Sequence, residues 1–164
     1  KIIIKRYNKR GAVHALKMLV SKSRGEKAFY RTLLVRDLEI PTSRPLLFGR
    51  SLNLGITGSS YLILECFDGE TLCDLYDQGR LTPQSWSDIA TAVATIIGKL
   101  HACGITHGDI KTPNLLFDGT TLEIADLDSL RFHKRGRRFQ RFQNKDWSAF
   151  EQRVKNYPQR NGVK

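Results

Sequence analysis

The chain has 164 residues, 40% of them apolar, which is enough for one domain with a hydrophobic core. No run of about eighteen apolar residues occurs, so the sequence predicts no membrane-spanning helix. No signal peptide is visible, but residue 1 is Lys rather than Met, so this carries no conclusion about a leader. The formal net charge of +11 predicts an anionic partner such as nucleic acid, acidic lipid or a phosphorylated glycan.

The first third of the chain shows alternating strand and helix signals. The β-branched run over residues 1–7 predicts a strand, and scattered apolar residues between 13 and 20 suggest a short helix. The sequence Ser23-Arg24-Gly25-Glu26 has the form of a capping box and predicts a helix over residues 24–38. The prolines within residues 40–45 end it. The apolar positions expected to form its buried stripe are Phe29, Leu33, Leu34 and Leu38.

Two strands and a connector come next. Residues 46–50 and 61–65 predict antiparallel strands, with the turn between them over residues 55–60. The chain then loosens into a connector. We expect this connector to divide a small lobe, residues 1–66, from a helical lobe, residues 67–164.

A long helix opens the second lobe. Thr82-Pro83 supplies a cap and a first-turn proline, so we expect a helix that runs through residue 102 and ends at Gly104. Its apolar residues recur at helical spacing, which is more typical of a core stripe than of a cofactor site. They are Trp86, Ile89, Val93, Ile96, Ile97 and Leu100.

The segment His107-Gly108-Asp109-Ile110-Lys111-Thr112-Pro113-Asn114 carries the most specific signal in the chain. In phosphoryl-transfer loops of this spacing, an Asp accepts the proton of the acceptor hydroxyl and an Asn five residues later holds a metal ion. Those residues are Asp109 and Asn114. An isolated Asp-x-x-x-x-Asn is usually a turn. The added His and Lys at their expected offsets make chance assembly improbable.

A second acidic motif completes this pattern. Residues 115–117 and 122–125 predict two short strands, and Asp126-Leu127-Asp128 follows directly. An Asp at this place would hold the Mg²⁺ that bridges the phosphates of a nucleotide, and Mg²⁺ prefers carboxylate and amide oxygens. The sequence therefore predicts that Asn114 and Asp126 are metal ligands.

Positive charge is concentrated at two places. Residues 1–10 hold five Lys or Arg, and residues 131–141 hold six with no acid among them. A charge run is often a solvated face, so this reading and an anion-binding role stay equally open for the second run. Three aromatic residues are interleaved with it and should tie it to the fold, namely Phe132, Phe139 and Phe142. A final helix is expected over residues 146–154.

This order of elements resembles the protein-kinase-like superfamily. More closely, the chain resembles the bacterial lipopolysaccharide core kinases, the Kdo and heptose kinase family, over nearly its whole length. The segments that carry the likeness are Ile4-Lys5-Arg6-Tyr7-Asn8, Ser23-Arg24, residues 39–45, Ser60-Tyr61-Leu62, residues 107–116 and Asp126-Leu127-Asp128. The resemblance implies an α+β, two-lobed fold. Only four residues precede Lys5, so we expect the small lobe to be truncated and to lack the glycine-rich hairpin.

The resemblance also implies roles in nucleotide binding. Lys5 matches the lysine that grips the nucleotide phosphates, although Lys17 lies in a similar local pattern. Glu26 matches the helix acid that pairs with that lysine, with a capping box as the alternative. Glu65 to Phe67 should offer backbone groups to adenine.

Within the catalytic segment the resemblance implies that Asp109 is the base and that Lys111 contacts the transferring phosphoryl group. Asn114 and Asp126 are again the metal ligands. His107 is expected to brace the loop rather than to react. Asp128 stands where ordinary kinases have Gly, so its role is open.

Together these features predict an ATP- and Mg²⁺-dependent phosphotransferase whose acceptor is a hydroxyl of a lipopolysaccharide inner-core sugar. Two alternatives stay open: a Rio- or Bud32-like protein Ser/Thr kinase, and an inactive, truncated module that binds an anion or a partner. Nucleic-acid binding rests on charge alone, because no known nucleic-acid-binding motif is present.

The cysteines bear on where the protein resides. Cys66, Cys73 and Cys103 form a sparse, odd set, which argues against a disulfide framework or a zinc site. We therefore expect a cytoplasmic protein. Peripheral contact with the cytoplasmic face of the inner membrane stays open.

Overall fold

The computed structural model describes residues 1–8, 22–53 and 56–158. The short helix expected between residues 13 and 20, and Lys17 with it, lie outside the described residues. The elements of the first lobe are β1 (Ile2–Tyr7), α1 (Arg24–Asp37), β2 (Pro45–Asn53) and β3 (Ile56–Glu65). The three strands form an antiparallel sheet in the order β1-β3-β2, and α1 packs against it.

The rest of the described chain is mainly helical. Its regular elements are β4 (Glu70–Thr71), α2 (Leu72–Asp77), α3 (Pro83–Ala102), β5 (Ile105–Thr106), β6 (Leu115–Phe117), β7 (Leu122–Ile124), β8 (Arg131–Phe132) and α4 (Arg137–Phe150). Short 3₁₀ turns lie at Thr112–Asn114 and Leu127–Ser129, and a π-helical turn follows α4 at Glu151–Lys155. The small sheets have the orders β4-β6-β7 and β5-β8. The mixed α+β class predicted from the sequence is confirmed.

Helix α3 is the centre of the main core. Thr82 caps it through a reciprocal capping box with Ser85, and Pro83 occupies its first turn. All six residues of the expected apolar stripe are buried. The segment that carries the catalytic motif packs on this helix through Ile105, Ile110, Leu115, Ile124, Leu127 and Leu130. Gly104 follows the helix with φ +72°, as the sequence predicts.

The predicted turn over residues 55–60 is wrong. Strand β2 continues to Asn53 and β3 already begins at Ile56, so most of that segment lies in a ladder that pairs Arg50 with Ser60. The Ser51 hydroxyl also donates a hydrogen bond to the Ser59 carbonyl. Small polar residues with glycine resemble a turn in sequence, yet backbone pairing can carry them as a strand.

The last helix begins earlier than predicted, at Arg137 rather than at residue 146. Its buried residues are Phe139, Asp146 and Phe150, and much of its remaining surface is exposed and basic. The last part of the basic run, from Arg137 to Arg141, therefore lies on an amphipathic helix, and its first part lies before that helix. In the sequence, the many charged residues hide the helical spacing of these few buried positions, so the start of the helix was placed too late.

The buried stripe of α1 also differs from the expectation. The large residue Leu34 is exposed and Phe29 is only partly buried, whereas Gly25, Ala28, Thr32 and Val35 are buried. A methyl group built on Gly25 would lie 2.5 Å from the carbonyl oxygen of Tyr61 in β3. At Gly25 the helix and the sheet are therefore too close for any side chain, whereas Phe29, one turn further along, packs on Phe48 of β2 at a ring-centroid distance of 5.1 Å.

We expect Gly25→Ala to destabilise the protein by about 1–3 kcal/mol, because the added methyl group meets backbone that cannot move aside cheaply. Gly98→Ala in α3 is the matched control, since no atom lies within 4 Å of its added Cβ. That variant should be neutral or stabilising by up to about 1 kcal/mol. Urea unfolding of both variants measures the difference, and equal effects would contradict the close packing of α1.

No helix in the described part of the chain is long and apolar enough to cross a membrane. The three cysteines are free thiols, with Cys103 exposed and the other two partly buried.

Candidate active site

The loop between β5 and β6 is held from within by His107, whose side chain is fully buried. The backbone N–H of Asp109 donates to its Nδ1 at 3.3 Å. Its Nε2 lies 3.3 Å from the carbonyl oxygen of Ala125. A ring nitrogen that accepts is unprotonated, so the proton must be on Nε2, which donates to Ala125. This bracing role agrees with the sequence interpretation.

Asp146 of α4 supports the same loop from below. It is 2% exposed, and its carboxylate accepts the backbone N–H groups of His107 and Gly108, each at 2.8 Å. His101 Nε2 lies 3.1 Å from the same carboxylate. Burial alone would raise the pKa of Asp146, but the hydrogen bonds from His101 and the two amides hold it below its usual value. The catalytic loop is thus tied to α3 and α4 through one buried acid.

The free energy of unfolding should depend on pH through the protonation of His107. Burial lowers its pKa from 6.5, against the opposing charge of Asp146. The unfolded chain therefore binds this proton first, and stability falls as the pH drops below about 6.5, by at most about 1.4 kcal/mol per pH unit. Nitrogen NMR of the imidazole should show a neutral ring protonated on Nε2 at pH 7, with a pKa below 6.5. Titration of this ring at or above 6.5 would contradict the assignment.

The carboxylate of Asp109 is partly exposed and surrounded by cations and amide donors. The Lys111 ammonium lies 2.7 Å from Oδ2. The Asn114 amide donates to the Asp109 carbonyl at 2.9 Å and to Oδ2 at 3.2 Å. Burial alone would raise the pKa of Asp109, but Lys111 and Asn114 hold it below its usual value. Asp109 is therefore ionised at neutral pH and able to accept a proton.

Asn114 and Asp126 meet because of the register of β6 and β7. Leu115 pairs with Ile124, and the Ala125 amide donates to the Asn114 carbonyl at 2.8 Å. Asp126 comes next and has a left-handed backbone, with φ 56° and ψ 59°. That conformation is uncommon outside glycine and often marks functional positions.

These two residues fit a magnesium site. Mg²⁺ is usually held by one or two protein oxygen ligands together with water and substrate phosphates. The Asn114 amide carbonyl, just before β6, and the Asp126 carboxylate, just after β7, form such a pair. Clusters of three or more His, Cys, Asp or Glu that could hold a metal are absent from residues 1–8, 22–53 and 56–158.

Lys5 reaches this site from the first lobe. Its ammonium lies 3.2 Å from Oδ1 of Asp126, and both side chains are partly exposed. A small cavity of about 60 Å³ adjoins the pair, between β1, β3 and the segment around Asp126. The lysine and the acid that the sequence assigned to phosphate and metal binding are therefore in contact.

The expected pairing of Lys5 with Glu26 is wrong for this structure. Across the described ranges, the ion pair of Lys5 is with Asp126. The backbone N–H of Glu26 instead donates to the hydroxyl of Ser23, so this residue lies in the first turn of a capped helix.

Asp128 has a structural role that the sequence left open. The Tyr7 hydroxyl donates to its Oδ1 at 2.8 Å, and Arg24 lies 3.8 Å from its Oδ2. Arg31 donates to the carbonyl oxygen of Asp128 at 2.6 Å. Burial, followed by the charge of Asp128, raises the pKa of Tyr7. Asp128 therefore joins β1 and α1 to the segment that carries Asp126.

The connector contains Glu65 and Phe67, expected to face adenine. The amide of Glu65 donates to the Arg44 carbonyl, and the amide of Cys66 donates to the Lys1 carbonyl. Both donors are therefore used inside the sheet. The Glu65 carbonyl and the Phe67 amide are the groups that would serve adenine.

The aromatic residues within the basic run anchor part of it. His133 stacks on Phe139 and tilts against Phe142, and Arg131 lies 4.7 Å from the ring centre of Phe142. Phe132 remains 55% exposed. Phe139 and Phe142 therefore tie the run to the fold, whereas the exposed Phe132 does not.

Two residues at the site were missed by the sequence analysis. Asp146 was placed only at the start of a helix, although it is the first acid after a long basic stretch. Arg153 lies in the π-helical turn, and its guanidinium is 3.8 Å from Oδ1 of Asp109. No local sequence signal marks Arg153, because its approach depends on how the turn packs.

Comparison of the sequence with known protein families gives a match over the segment that contains Asp109, Asn114 and Asp126. The family model described as "Protein kinase domain" matches residues 53–154, more than half of the chain. The chain therefore belongs to the protein kinase domain family.

Several individual proteins are similar to the chain. A probable myosin light chain kinase of Dictyostelium discoideum is 29% identical over 133 residues, covering 71% of this chain and 43% of the relative. The 3-phosphoinositide-dependent protein kinase 1 of Arabidopsis thaliana is 30% identical over 139 residues, covering 80% and 27%. The chain thus spans less than half the length of these curated relatives.

Among solved structures, the PK-1 kinase of Cydia pomonella granulovirus is similar with a TM-score of 0.56 and 21% identity. The match covers 80% of this chain and 43% of the viral one. It confirms the protein-kinase-like fold predicted from the sequence.

Proposed function

We propose that the protein is an ATP- and Mg²⁺-dependent phosphotransferase. The observation that carries the proposal is a chain of contacts: Lys5 pairs with Asp126, the neighbouring Ala125 bonds to the Asn114 backbone, and the Asn114 amide bonds to Asp109. These residues come from three separate segments of the chain, and each side chain has the chemistry that phosphoryl transfer needs. The nucleotide would lie between residues 1–66 and residues 67–164.

Each residue has a defined task in this proposal. Asp109, ionised and partly exposed, orients the acceptor hydroxyl and takes its proton. Lys111, already beside that carboxylate, is close enough to stabilise charge on the transferring group. Asn114 and Asp126 would hold Mg²⁺, which neutralises phosphate charge when bound. Lys5 would leave Asp126 to contact the phosphates.

The acceptor that we propose is a hydroxyl of a lipopolysaccharide inner-core sugar. The resemblance of Lys5-Arg6-Tyr7-Asn8 and residues 39–45 to the Kdo and heptose kinases supports it, as does the net charge of +11. Contact with the cytoplasmic face of the inner membrane would follow from such an acceptor. A protein Ser/Thr acceptor is the second candidate, because the named relatives include protein kinases.

A competition assay separates the two acceptors. The full-length protein would be incubated with γ-labelled ATP and Mg²⁺ together with a deacylated inner-core glycan and a mixed Ser/Thr peptide pool. We expect the label in the glycan as an alkali-stable phosphomonoester. Label confined to the peptides would overturn the sugar acceptor, and an inert protein that still binds anions would favour the inactive module.

The basic face formed by Arg135, just before α4, and by Arg137 and Arg138 in its first turn should serve the acceptor rather than the nucleotide. Arg137 and Arg138 lie in the first helical turn, where positive charge is unfavourable to the helix. Replacing Arg135, Arg137 and Arg138 by Gln should raise the KM for an anionic acceptor and flatten its salt dependence. The KM for ATP should change little, because this attraction is long-range and screened by salt.

The control removes the same charge from other exposed positions, by replacing Lys27, Lys99 and Lys155 with Gln. Steady-state kinetics at low and high salt compare the two triple variants. If they behave alike, or if the arginine variant loses ATP affinity, the basic face is only a solvated surface.

A further inference from the structure

Arg153 is the second cation on the proposed catalytic base. Lys111 contacts Oδ2 of Asp109 at 2.7 Å, and the Arg153 guanidinium approaches Oδ1 at 3.8 Å. The Arg153 side chain is 54% exposed, so this contact is a solvated one. Exposed pairs of this kind contribute little stability. The guanidinium can therefore leave Asp109 and bind another anion with little loss of free energy.

The backbone that carries Arg153 is firmly placed. The neighbouring Val154 is fully buried, and its carbonyl accepts a hydrogen bond from the Trp86 indole at 3.2 Å. The Tyr76 hydroxyl donates to the Pro158 carbonyl at 3.2 Å just beyond the turn. Local π-helical turns often occur at functional sites. The turn therefore fixes the backbone from which Arg153 reaches Asp109.

The position of Arg153 defines what the acceptor must carry. A hydroxyl that gives its proton to Asp109 must lie within about 2.6–3.2 Å of that carboxylate. The guanidinium is next to the same carboxylate, so it lies within a few ångströms of the acceptor oxygen. Guanidinium groups bind carboxylate or phosphate in a planar, two-pronged geometry.

We propose that Arg153 binds a carboxylate carried by a sugar-acid acceptor beside its reacting hydroxyl. This inference rests on the proposed phosphotransferase function and narrows its substrate class. On binding, the acceptor carboxylate replaces Asp109 as the partner of Arg153, which leaves the Asp109 oxygen for the hydroxyl. When the acceptor has no carboxylate, Arg153 keeps its contact with Asp109.

A compact acceptor fits this spacing better than a peptide. In a sugar acid the carboxylate and the hydroxyls share one ring, a few ångströms apart. In an extended peptide, neighbouring side chains point to opposite faces, and the next residue on the same face is roughly 7 Å away. The short distance between Arg153 and Asp109 therefore favours the ring.

The test uses two matched acceptor pairs with the full-length protein, ATP and Mg²⁺. One pair is a Kdo glycoside and its methyl ester, and the other is a Ser peptide flanked by Glu or by Gln. We expect kcat/KM for the Kdo glycoside to exceed that for the ester by about tenfold or more, the usual worth of a charge-assisted pair. Arg153→Gln should remove this preference through KM. Arg153→Glu should leave the ester favoured.

Lys155→Gln is the matched control, because it removes a positive charge from the same turn and should leave the preference unchanged. Basal ATP hydrolysis should be the same in Lys155→Gln and in the unmodified protein. Equal use of glycoside and ester by the unmodified protein would overturn the inference alone, and selectivity confined to the peptide pair would overturn the sugar-acid assignment. No transfer to any acceptor would overturn the proposed function and the inference with it.

Discussion

Replacing Asp109 by Asn should reduce phosphoryl transfer by about a hundredfold or more, with little change in fold or in ATP affinity. An amide cannot accept the hydroxyl proton, and general-base assistance is typically worth 10²–10⁴-fold, roughly, in rate. The amide can still meet the Asn114 and Lys111 side chains closely enough to keep the loop packed. The effect should therefore fall on kcat.

The comparison needs a residue of the same loop that is not the base. Thr112→Ser is suitable, because Thr112 is buried at the end of the loop and the change keeps its hydroxyl. Single-turnover kinetics and circular dichroism of both variants separate chemistry from folding. Near-normal turnover of purified Asp109→Asn would remove this residue from its role.

Replacing Asp126 by Ala should abolish the Mg²⁺ dependence of nucleotide binding and weaken it by tenfold or more, on the order of the loss of one charged ligand contact. The change also releases Lys5, whose ammonium contacts the same carboxylate. Calorimetry with a non-hydrolysable ATP analogue, with and without Mg²⁺, measures both effects.

Asp88→Ala is the control for that experiment, since Asp88 is an exposed acid on α3 whose side chain accepts a hydrogen bond from Gln84. It should bind the analogue as the unmodified protein does. If Asp126→Ala keeps full metal-dependent affinity, then Mg²⁺ is held elsewhere and the site is misplaced.

The candidate site was predictable where short-range patterns determine geometry. The interval from Asp109 to Asn114 is a single loop, and the strands before Asp126 are short and apolar, so local spacing alone brings these residues together. The same holds for α3, because its capping residues and the helical spacing of its apolar residues can be read directly from the local sequence.

The contacts that escaped prediction depend on packing between distant segments. Asp146 and Arg153 approach the loop only because α4 and its π-helical turn pack against α3. Lys5 meets Asp126 because β1 lies beside the segment around Asp126, 121 residues away in sequence. Sequence spacing contains no information on such approaches between elements.

The polar strand and the basic helix were misread for a related reason. Residues 56–60 and 137–145 have the composition of a turn and of a solvated arm. Backbone pairing and a few buried rings determine their structure instead. Composition describes the exposed face of an element, whereas a minority of buried positions decides its form.

The most direct test of the account is the fate of the γ-phosphate of ATP. The full-length protein would be given γ-labelled ATP and an inner-core glycan, with Mg²⁺ or with a chelator, and the products would be separated. The account predicts label on an alcohol oxygen of the acceptor with Mg²⁺ and none with the chelator. Transfer that persists without any divalent metal, or ATP that stays intact with every alcohol acceptor offered, would contradict it.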